Sequence, residues 1–259
     1  MRIEFPDGTG HHPSPVNSRL NPNQSQKIGA GRLPASAHGR ALVVATVHSP
    51  AGLRLATRCK PGEVDVLELR LDALEGRLPA IRETLPTLRL PVLVTARHPA
   101  EGGCGGLTLR RRKQLLTEFL PAAAFVDVEL RSVVAMRDVI LAAKAQGVVV
   151  VVSDHHFRGT PPLARLLARQ RMAFAAGADA FKLATLADDA KSLARLLDLA
   201  AAPAAGPRAI MGMGKLGKVS RLTLAVAGSV LNYGYLDQPN APGQWEAKEL
   251  RNLLNRITL

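Results

Sequence analysis

Residues 148–155 read Val-Val-Val-Val-Val-Ser-Asp-His and form the clearest predicted strand of the chain. A run of consecutive β-branched residues suits a buried strand, and this run is far too short to cross a membrane. Side chains alternate along a strand, so His155 shares its face with Ser153 and Val151. Polar groups on an otherwise apolar strand cost free energy unless they are paired or used. The carboxyl end of this strand is therefore a candidate functional position.

Similar apolar runs recur along the chain and alternate with stretches of helical spacing. The predicted strands are 41–46, 64–70, 91–95, 124–129, 148–153, 179–184, 208–213 and 227–231. One helix start is marked clearly, because Thr160 is expected to cap a helix whose first residue is Pro161. Strands that alternate with helices pair in parallel, and eight such repeats fit a closed barrel better than an open sheet. We therefore predict a (β/α)8 TIM barrel, with residues 41–259 as the catalytic domain.

Residues 1–40 differ from this pattern, because they are rich in glycine, proline, asparagine and serine and poor in apolar residues. We expect a disordered or loosely docked arm, without the continuous apolar stretch of a secretory signal. The two cysteines, Cys59 and Cys104, lie far apart without a CxxC partner. Such residues are typical of free thiols in a reducing compartment, so we expect a cytoplasmic protein.

The formal net charge of +13 allows two interpretations. A strongly basic chain can bind nucleic acid, but no RNA-binding signature is present. The basic run at 110–113 opens a helical pattern, where a solvated face is the usual explanation. We therefore interpret the charge as an arginine-rich surface together with a site for an anionic small molecule, and expect neither a nucleic-acid nor a membrane partner.

The predicted sixth strand carries a lysine in an apolar setting. Residues 178–184 read Ala-Asp-Ala-Phe-Lys-Leu-Ala, so Phe181 faces the helices while Lys182 and its small neighbours point into the barrel. Burial disfavours the charged form of a lysine, and a neutral amine is what imine formation requires. The alternative is a lysine that pairs with Glu129 or Glu68 and only fills the barrel.

Other polar side chains are predicted to surround this lysine. His155 points inward one strand earlier and suits a general acid or base. His156 should point outward, and because neighbouring strand residues face opposite ways we expect no metal site there. Arg70, Arg97 and Arg221 are candidates for carboxylate and hydroxyl recognition, since a guanidinium offers a planar fork of donors.

These residues, in their order and spacing, resemble the type I 3-dehydroquinate dehydratase family over nearly the whole chain from residue 41 onward. The motifs that carry the resemblance are Glu68-Leu69-Arg70-Leu71-Asp72, Thr95-Ala96-Arg97 with Glu101-Gly102-Gly103, Ser153-Asp154-His155, Gly177-Ala178-Asp179 leading to Lys182, Met211-Gly212 to Ser220-Arg221, and Ala241-Pro242-Gly243-Gln244.

The resemblance implies a lyase that converts 3-dehydroquinate to 3-dehydroshikimate through a lysine Schiff base, in the shikimate route to aromatic amino acids. It implies no metal, no cofactor and a homodimer. Lys182 matches the Schiff-base lysine, His155 the proton-transferring histidine, and Glu101 an acidic residue on a mobile loop near it. The implied substrate-binding residues are Glu68, Arg70, Arg97, Arg221, Asn240, Gln244 and Thr46.

Within the family pattern, Arg221 matches the arginine that holds the substrate carboxylate, and Gln244 lies in a loop that closes over the ligand. Three positions depart from that pattern. Asn240 stands where a serine is usual, His156 replaces an aspartate, and Thr46 occupies a position that is often serine.

Two other functions use the same residues. A class I aldolase or another diverged imine-forming lyase would keep the lysine and act on a different keto sugar-acid. A barrel that has lost turnover would only bind an anionic metabolite or nucleic acid. Residues 212–217 also fit G-x-G-x-x-G, but too few strands follow for a dinucleotide fold. We expect these glycines to let the backbone approach a ligand.

Overall fold

The computed structural model describes residues 41–257, and within this range eight strands alternate with eight α-helices. The strands are β1 (Leu42–Val47), β2 (Val66–Arg70), β3 (Val92–Thr95), β4 (Phe125–Glu129), β5 (Val149–His156), β6 (Ala180–Leu186), β7 (Arg208–Met213) and β8 (Leu231–Tyr235). The helices are α1 (Pro50–Ala56), α2 (Leu78–Thr84), α3 (Leu109–Phe119), α4 (Arg137–Ala145), α5 (Leu163–Ala175), α6 (Ala190–Ala201), α7 (Gly217–Val226) and α8 (Ala247–Ile257). The arm predicted for residues 1–40 lies outside the described residues.

All paired strands run parallel, in the order β7-β6-β5-β4-β3-β2-β1-β8. β7 and β8 stand at the two ends of this ladder and lie side by side at a seam. There the amide of Val230 donates to the carbonyl of Arg208 over 2.8 Å. The strands therefore form a nearly closed barrel, and the predicted TIM barrel is confirmed.

Two apolar layers follow from the alternation of side chains along the strands. The larger layer lies between strands and helices and includes Phe181 and Leu183. The smaller layer fills the barrel and includes Ala180, Ala184 and Tyr233. The predicted inward and outward faces of β6 are thus confirmed, and small residues flank Lys182 on the inner face.

The eighth strand lies further along the chain than predicted. Residues 227–230 follow the end of α7, where Gly228 turns the chain with φ of +97°, and β8 begins at Leu231. The apolar run that suggested a strand belongs to this helix end and turn. β8 itself contains Gly234, which is a poor strand former but leaves room for α8, since a Cβ there would lie 2.7 Å from the Cα of Ala247.

The predicted helix cap at Thr160 is also wrong. α5 begins at Leu163, and the residue before it, Pro162, makes no side-chain cap. The Thr160 hydroxyl instead donates to the carbonyl of Leu186 (3.0 Å) and lies 2.7 Å from the hydroxyl of Thr185. This threonine therefore fastens the segment after β5 to the neighbouring strand β6.

None of the helices between residues 41 and 257 combines the length and apolar content that a membrane crossing requires. The two cysteines are free thiols, Cys59 buried and Cys104 exposed.

Candidate active site

Lys182 points from β6 into the barrel and is 4% exposed. Its Nζ lies 3.0 Å from Oδ2 of Asp127 on β4 and 3.7 Å from Oε1 of Glu68 on β2. The same atom lies 3.9 Å from the centre of the Tyr233 ring on β8. Side chains from three other strands therefore converge on one buried amine. Of the two carboxylates considered for a lysine that only fills the barrel, Glu68 lies within ion-pair distance, whereas Glu129 pairs with Arg97 and Arg112.

Glu68 is fixed in position by two hydroxyl groups. The Thr46 hydroxyl donates to Oε2 and the Thr95 hydroxyl donates to Oε1, each over 2.9 Å. Thr46, expected at the substrate, thus lies beside Glu68 and orients its carboxylate. With both oxygens held by neighbouring strands, Glu68 presents a fixed negative charge toward Lys182.

Arg97 joins the strands around Asp127. Its two terminal nitrogens each donate to one oxygen of Asp127 over 2.8 Å, and Nη1 also reaches Glu129 (3.1 Å) and the Ser153 hydroxyl (2.7 Å). Burial acts to raise the pKa of Asp127, but the charges of Arg97 and Lys182 outweigh it and hold that pKa well below its usual range. Asp127 is therefore a permanent carboxylate beside the lysine.

Arg112 supports Arg97 from behind. It belongs to the basic run expected on a solvated face, but it is only 2% exposed, so that expectation is wrong for this residue. Its guanidinium donates to Glu129 and to the carbonyl of Ala96 (2.7 Å). Because Glu129 is fully buried between Arg97 and Arg112, it needs both cations to offset the loss of hydration.

His155 lies near the carboxyl end of β5 and forms a pair with Glu101. Its Nδ1 is 2.9 Å from Oε2 of Glu101, which lies in the loop after β3. Burial raises the pKa of Glu101 to about 7, against the opposing charge of Arg97. Burial lowers the pKa of His155 well below its ordinary value, and the charges of Arg97 and Lys182 lower it further. His155 is therefore neutral at neutral pH, with Nδ1 engaged and Nε2 left for proton transfer.

The spacing between His155 and Lys182 allows one ring-shaped substrate to contact both side chains. Lys182 pairs in register with Ser153, and His155 follows two residues later on the same strand, with its side chain on the same face. Two residues of a parallel strand span about 6.6 Å. A six-membered ring attached to the amine would thus extend toward the imidazole.

His156 points away from the barrel interior, as predicted. Its Nε2 lies 2.9 Å from Asp154, whose carboxylate also accepts from Arg169 on α5. This arrangement fastens β5 to the helix that follows it. Within residues 41–257, no cluster of three or more His, Cys, Asp or Glu side chains could hold a metal ion.

Arg70 ties the end of β2 to the loop that carries Glu101. Its guanidinium donates twice to Asp72, over 2.9 and 2.7 Å, and once to the carbonyl of Gly102 over 3.0 Å. Asp72 also accepts from the backbone amide of Cys104 (2.9 Å). Besides being an expected substrate-binding residue, Arg70 thus holds the position of the Glu101 loop.

Arg221 projects from α7 into the seam between β7 and β8 and is 2% exposed. It donates to the carbonyl oxygens of Tyr233 (3.0 Å), Gly212 (2.8 Å), Gly217 (2.9 Å) and Gly243 (2.7 Å). No carboxylate of the described residues lies within ion-pair distance of it. Burial accordingly lowers the pKa of Arg221 to about 10. The seam therefore holds a buried cation without a counter-ion.

The loop at 240–244 rests on this cation through the Gly243 carbonyl. Gln244 is buried, and its Oε1 accepts from the backbone amides of Asn240 (2.9 Å) and Ala241 (3.2 Å), while Asn240 itself is exposed. A Cβ on Gly217 would lie 2.8 Å from the Gly243 carbonyl oxygen. The glycine at 217, expected to face a ligand, instead lets this loop pack on the start of α7.

The structure thus places the expected residues in two groups. Five of them lie on the lysine side of the barrel, namely His155, Glu101, Glu68, Arg97 and Thr46. Arg221, Gln244 and Asn240 lie at the seam, and Arg70 braces the Glu101 loop. Sequence reasoning missed Asp127, although its inward position on β4 was readable from the strand alternation. It also missed Tyr233, because the eighth strand was placed too early.

Comparisons with known proteins identify the family. The sequence profile described as type I 3-dehydroquinase matches residues 42–259. The 3-dehydroquinate dehydratase of Methanosarcina barkeri is 35% identical over 84% of this chain and 95% of its own length. The type I enzyme of Clostridium difficile, solved with covalently modified comenic acid, has a TM-score of 0.77 at 27% identity, covering 85% of this chain and 93% of that one. The 3-dehydroquinate dehydratase of Geobacillus kaustophilus has a TM-score of 0.75 at 28% identity, covering 84% and 91%. This chain belongs to the type I 3-dehydroquinase family, as its motifs predicted.

Proposed function

We propose that this protein dehydrates 3-dehydroquinate to 3-dehydroshikimate through a Schiff base on Lys182. The observation that carries the proposal is the buried amine of Lys182, beside the carboxylate of Asp127 and one strand away from the His155–Glu101 pair. Membership of the family indicates the reaction. In the site, the position of Lys182 suits the nucleophile and that of His155 suits the base.

The first step joins the lysine to the substrate. The Lys182 nitrogen attacks the keto carbon C3 with its lone pair and a C–N bond forms. The carbonyl oxygen takes up two protons, one released by the nitrogen and one from solvent, and leaves as water as the C–O bond breaks. The product is an iminium ion, which withdraws electrons from C2. Asp127 remains ionised and, together with Glu68, faces this cation, so the positive nitrogen is stabilised where it forms.

The second step is the elimination. Neutral His155 removes a proton from C2, and the electron pair moves into the C2–C3 bond to give an enamine. The enamine then forms the C1–C2 double bond and expels the C1 hydroxyl, which leaves as water with the proton from His155. Hydrolysis of the remaining iminium ion releases the product and the lysine. Glu101 stabilises the imidazolium through its contact with Nδ1.

Substrate recognition is assigned to both groups of residues. The uncompensated charge of Arg221 supports a role in holding the substrate carboxylate. Glu68, Arg70 and Arg97 are proposed to contact the hydroxyl groups, and the loop with Asn240 and Gln244 to cover the ligand. Excluding bulk water would protect the iminium ion from early hydrolysis. The homodimer implied by the resemblance and the cytoplasmic location indicated by the two cysteines stay predictions.

Ultraviolet absorbance of the conjugated enone tests the reaction directly. Purified protein should raise this absorbance when 3-dehydroquinate is added, and Lys182→Met should abolish the increase. Lys144→Met is a matched control, because Lys144 pairs with Asp179 at the surface and its loss should leave the rate unchanged. A folded protein that shows no increase at high concentration would reject this substrate and favour another keto sugar-acid. An active Lys182→Met variant would reject the Schiff base.

A further inference from the structure

Tyr233 lies against the reactive amine, and the mechanism above does not use it. It occupies the middle of β8, belongs to the apolar cluster inside the barrel and is 3% exposed. The Lys182 nitrogen lies over its ring face, 3.9 Å from the ring centre. Its hydroxyl belongs to the same ring and therefore borders the space beside the atom that would bind the substrate.

The Tyr233 hydroxyl is buried and has no hydrogen-bond partner among the described residues. Burying such a group without a partner costs free energy, so buried hydroxyls are normally paired. Ser229, just before β8, shows the ordinary case, because its hydroxyl accepts from the amide of Ile210 over 2.9 Å. A phenylalanine at 233 would keep the ring contact and avoid this cost. The hydroxyl thus has no structural explanation in the protein's own contacts.

We infer that Tyr233 is a further catalytic residue, whose hydroxyl hydrogen-bonds to the substrate hydroxyl next to the keto carbon while its ring contacts the Schiff-base nitrogen. The inference rests on the proposed function. Once C3 is joined to Lys182, the substituent on the adjacent carbon C4 is a close neighbour of that nitrogen. The ligand class is therefore a keto ring that carries a hydroxyl beside the carbonyl.

Both parts of the side chain suit this role. An aromatic face attracts a cation, so the ring stabilises the iminium nitrogen once it forms. Burial and the charges of Glu68 and Asp127 hold the pKa of Tyr233 well above its ordinary value, so the hydroxyl stays protonated and can donate. A donor that only the ligand satisfies favours the hydroxylated substrate over an analogue without that group.

Tyr233→Phe removes the hydroxyl alone and provides the test. We expect kcat/KM for 3-dehydroquinate to fall roughly 10-fold, the value of one ordinary hydrogen bond. Stability of the ligand-free variant toward urea should be unchanged or higher, because an unpaired buried group is removed. Ser229→Ala should behave in the opposite way, with lower stability and unchanged kcat/KM.

The 4-deoxy analogue of the substrate separates binding from a structural role. The parent should prefer 3-dehydroquinate over this analogue, and the preference should shrink by the same roughly 10-fold factor in Tyr233→Phe, since the two groups form one pair. Tyr233→Leu also removes the ring, which no longer stabilises the iminium nitrogen. This variant should therefore yield less borohydride-trapped adduct than Tyr233→Phe.

Two results would overturn the inference. One is a Tyr233→Phe variant with the parent's kcat/KM and the parent's preference between the two ligands. The other is a variant that loses stability and activity together while keeping that preference. In both cases the parent is active, so the proposed function stands. A parent that neither forms the enone nor yields an adduct at Lys182 would overturn the proposed function together with the inference.

Discussion

Two arginines mark the two sides of the barrel mouth, and both are almost completely buried. Arg97, on the side formed by β2 to β6, donates to Asp127, Glu129 and Ser153. Arg221, at the seam between β7 and β8, donates only to backbone carbonyl oxygens in the described structure. One side of the mouth is therefore a network of opposite charges, while the other holds a single cation among dipoles.

The pKa values of these two arginines shift in opposite directions. Burial acts to lower the pKa of Arg97, but Asp127 and Glu129 outweigh it and hold that pKa well above its ordinary value. For Arg221 burial acts without such opposition and lowers the pKa to about 10. The charge of Arg97 is therefore offset within the protein by Asp127 and Glu129. The charge of Arg221 remains available for an anionic ligand.

We expect the largest loss of activity on the side of the barrel mouth that holds Arg97, when the proposed catalytic base is replaced. His155→Asn should lower kcat by about 10²–10⁴-fold, because a positioned base contributes that much. Borohydride should still trap substrate on Lys182 in this variant, since the amine is untouched. The control is His156→Asn on the outer face, which should keep kcat within about threefold. Equal losses in the two variants would show that the inner and outer faces of β5 are wrongly assigned.

Next in size is the stability of the network. Arg112→Met leaves the buried Glu129 with one cation in place of two, so we expect the free energy of unfolding to fall by about 3–5 kcal/mol. Arg111→Met removes a half-exposed pair with Glu75 and should cost about 1 kcal/mol or less. Urea denaturation measures both. Similar small changes would mean that the network tolerates a missing cation.

At the seam, a milder substitution should weaken binding. Arg221→Lys keeps the charge but loses the planar fork, so KM for 3-dehydroquinate should rise about 10- to 100-fold with a smaller change in kcat. Arg208→Lys is the matched control, because Arg208 also donates to carbonyl oxygens, those of Leu199 and Ala200, but lies at the opposite end of the barrel. An unchanged KM in Arg221→Lys would remove the anion-binding role from the seam.

The smallest effect that we expect is a pH dependence of kcat and of stability, caused by Glu101 on the same side as Arg97. The pKa of Glu101 is raised to about 7, so kcat should increase through pH 7 as this carboxyl ionises and accepts from His155. Below that pH the folded protein keeps a proton that the unfolded chain releases near 4.5. The contribution of Glu101 to the free energy of unfolding is therefore largest at low pH, and it declines as pH rises from about 4.5 to about 7.

Glu101→Gln should remove both dependences, leaving kcat low and flat across this range. Rate profiles and urea denaturation at pH 5 and pH 8 measure them. A Glu101→Gln variant that retains the parent's increase through pH 7 would assign that titration to another group.

Strand alternation was sufficient to predict the inward positions of Lys182 and His155, because it depends only on local geometry. It was not sufficient to predict that Asp127, rather than Glu129, pairs with the lysine. Both carboxylates point inward from β4, and the choice depends on how Arg97 reaches across the barrel. That contact joins residues far apart in sequence.

The eighth strand was misplaced for a different physical reason. Its apolar signal is weak, because Asn232 and Gly234 lie within it, and both are favoured by long-range packing. The Asn232 amide donates to the carbonyl of Arg221 (2.7 Å), and Gly234 leaves space for α8. The seam is thus the part of the barrel where tertiary contacts override local propensity, and Tyr233 was missed with it.

Reductive trapping shows whether Lys182 is the residue that bonds to the substrate. Protein incubated with 3-dehydroquinate is treated with borohydride, digested and analysed by mass spectrometry. We expect a stable adduct on one peptide, with the added mass on Lys182, and no adduct in Lys182→Met. Turnover by protein whose Lys182 stays unmodified under these conditions would exclude a Schiff base on Lys182.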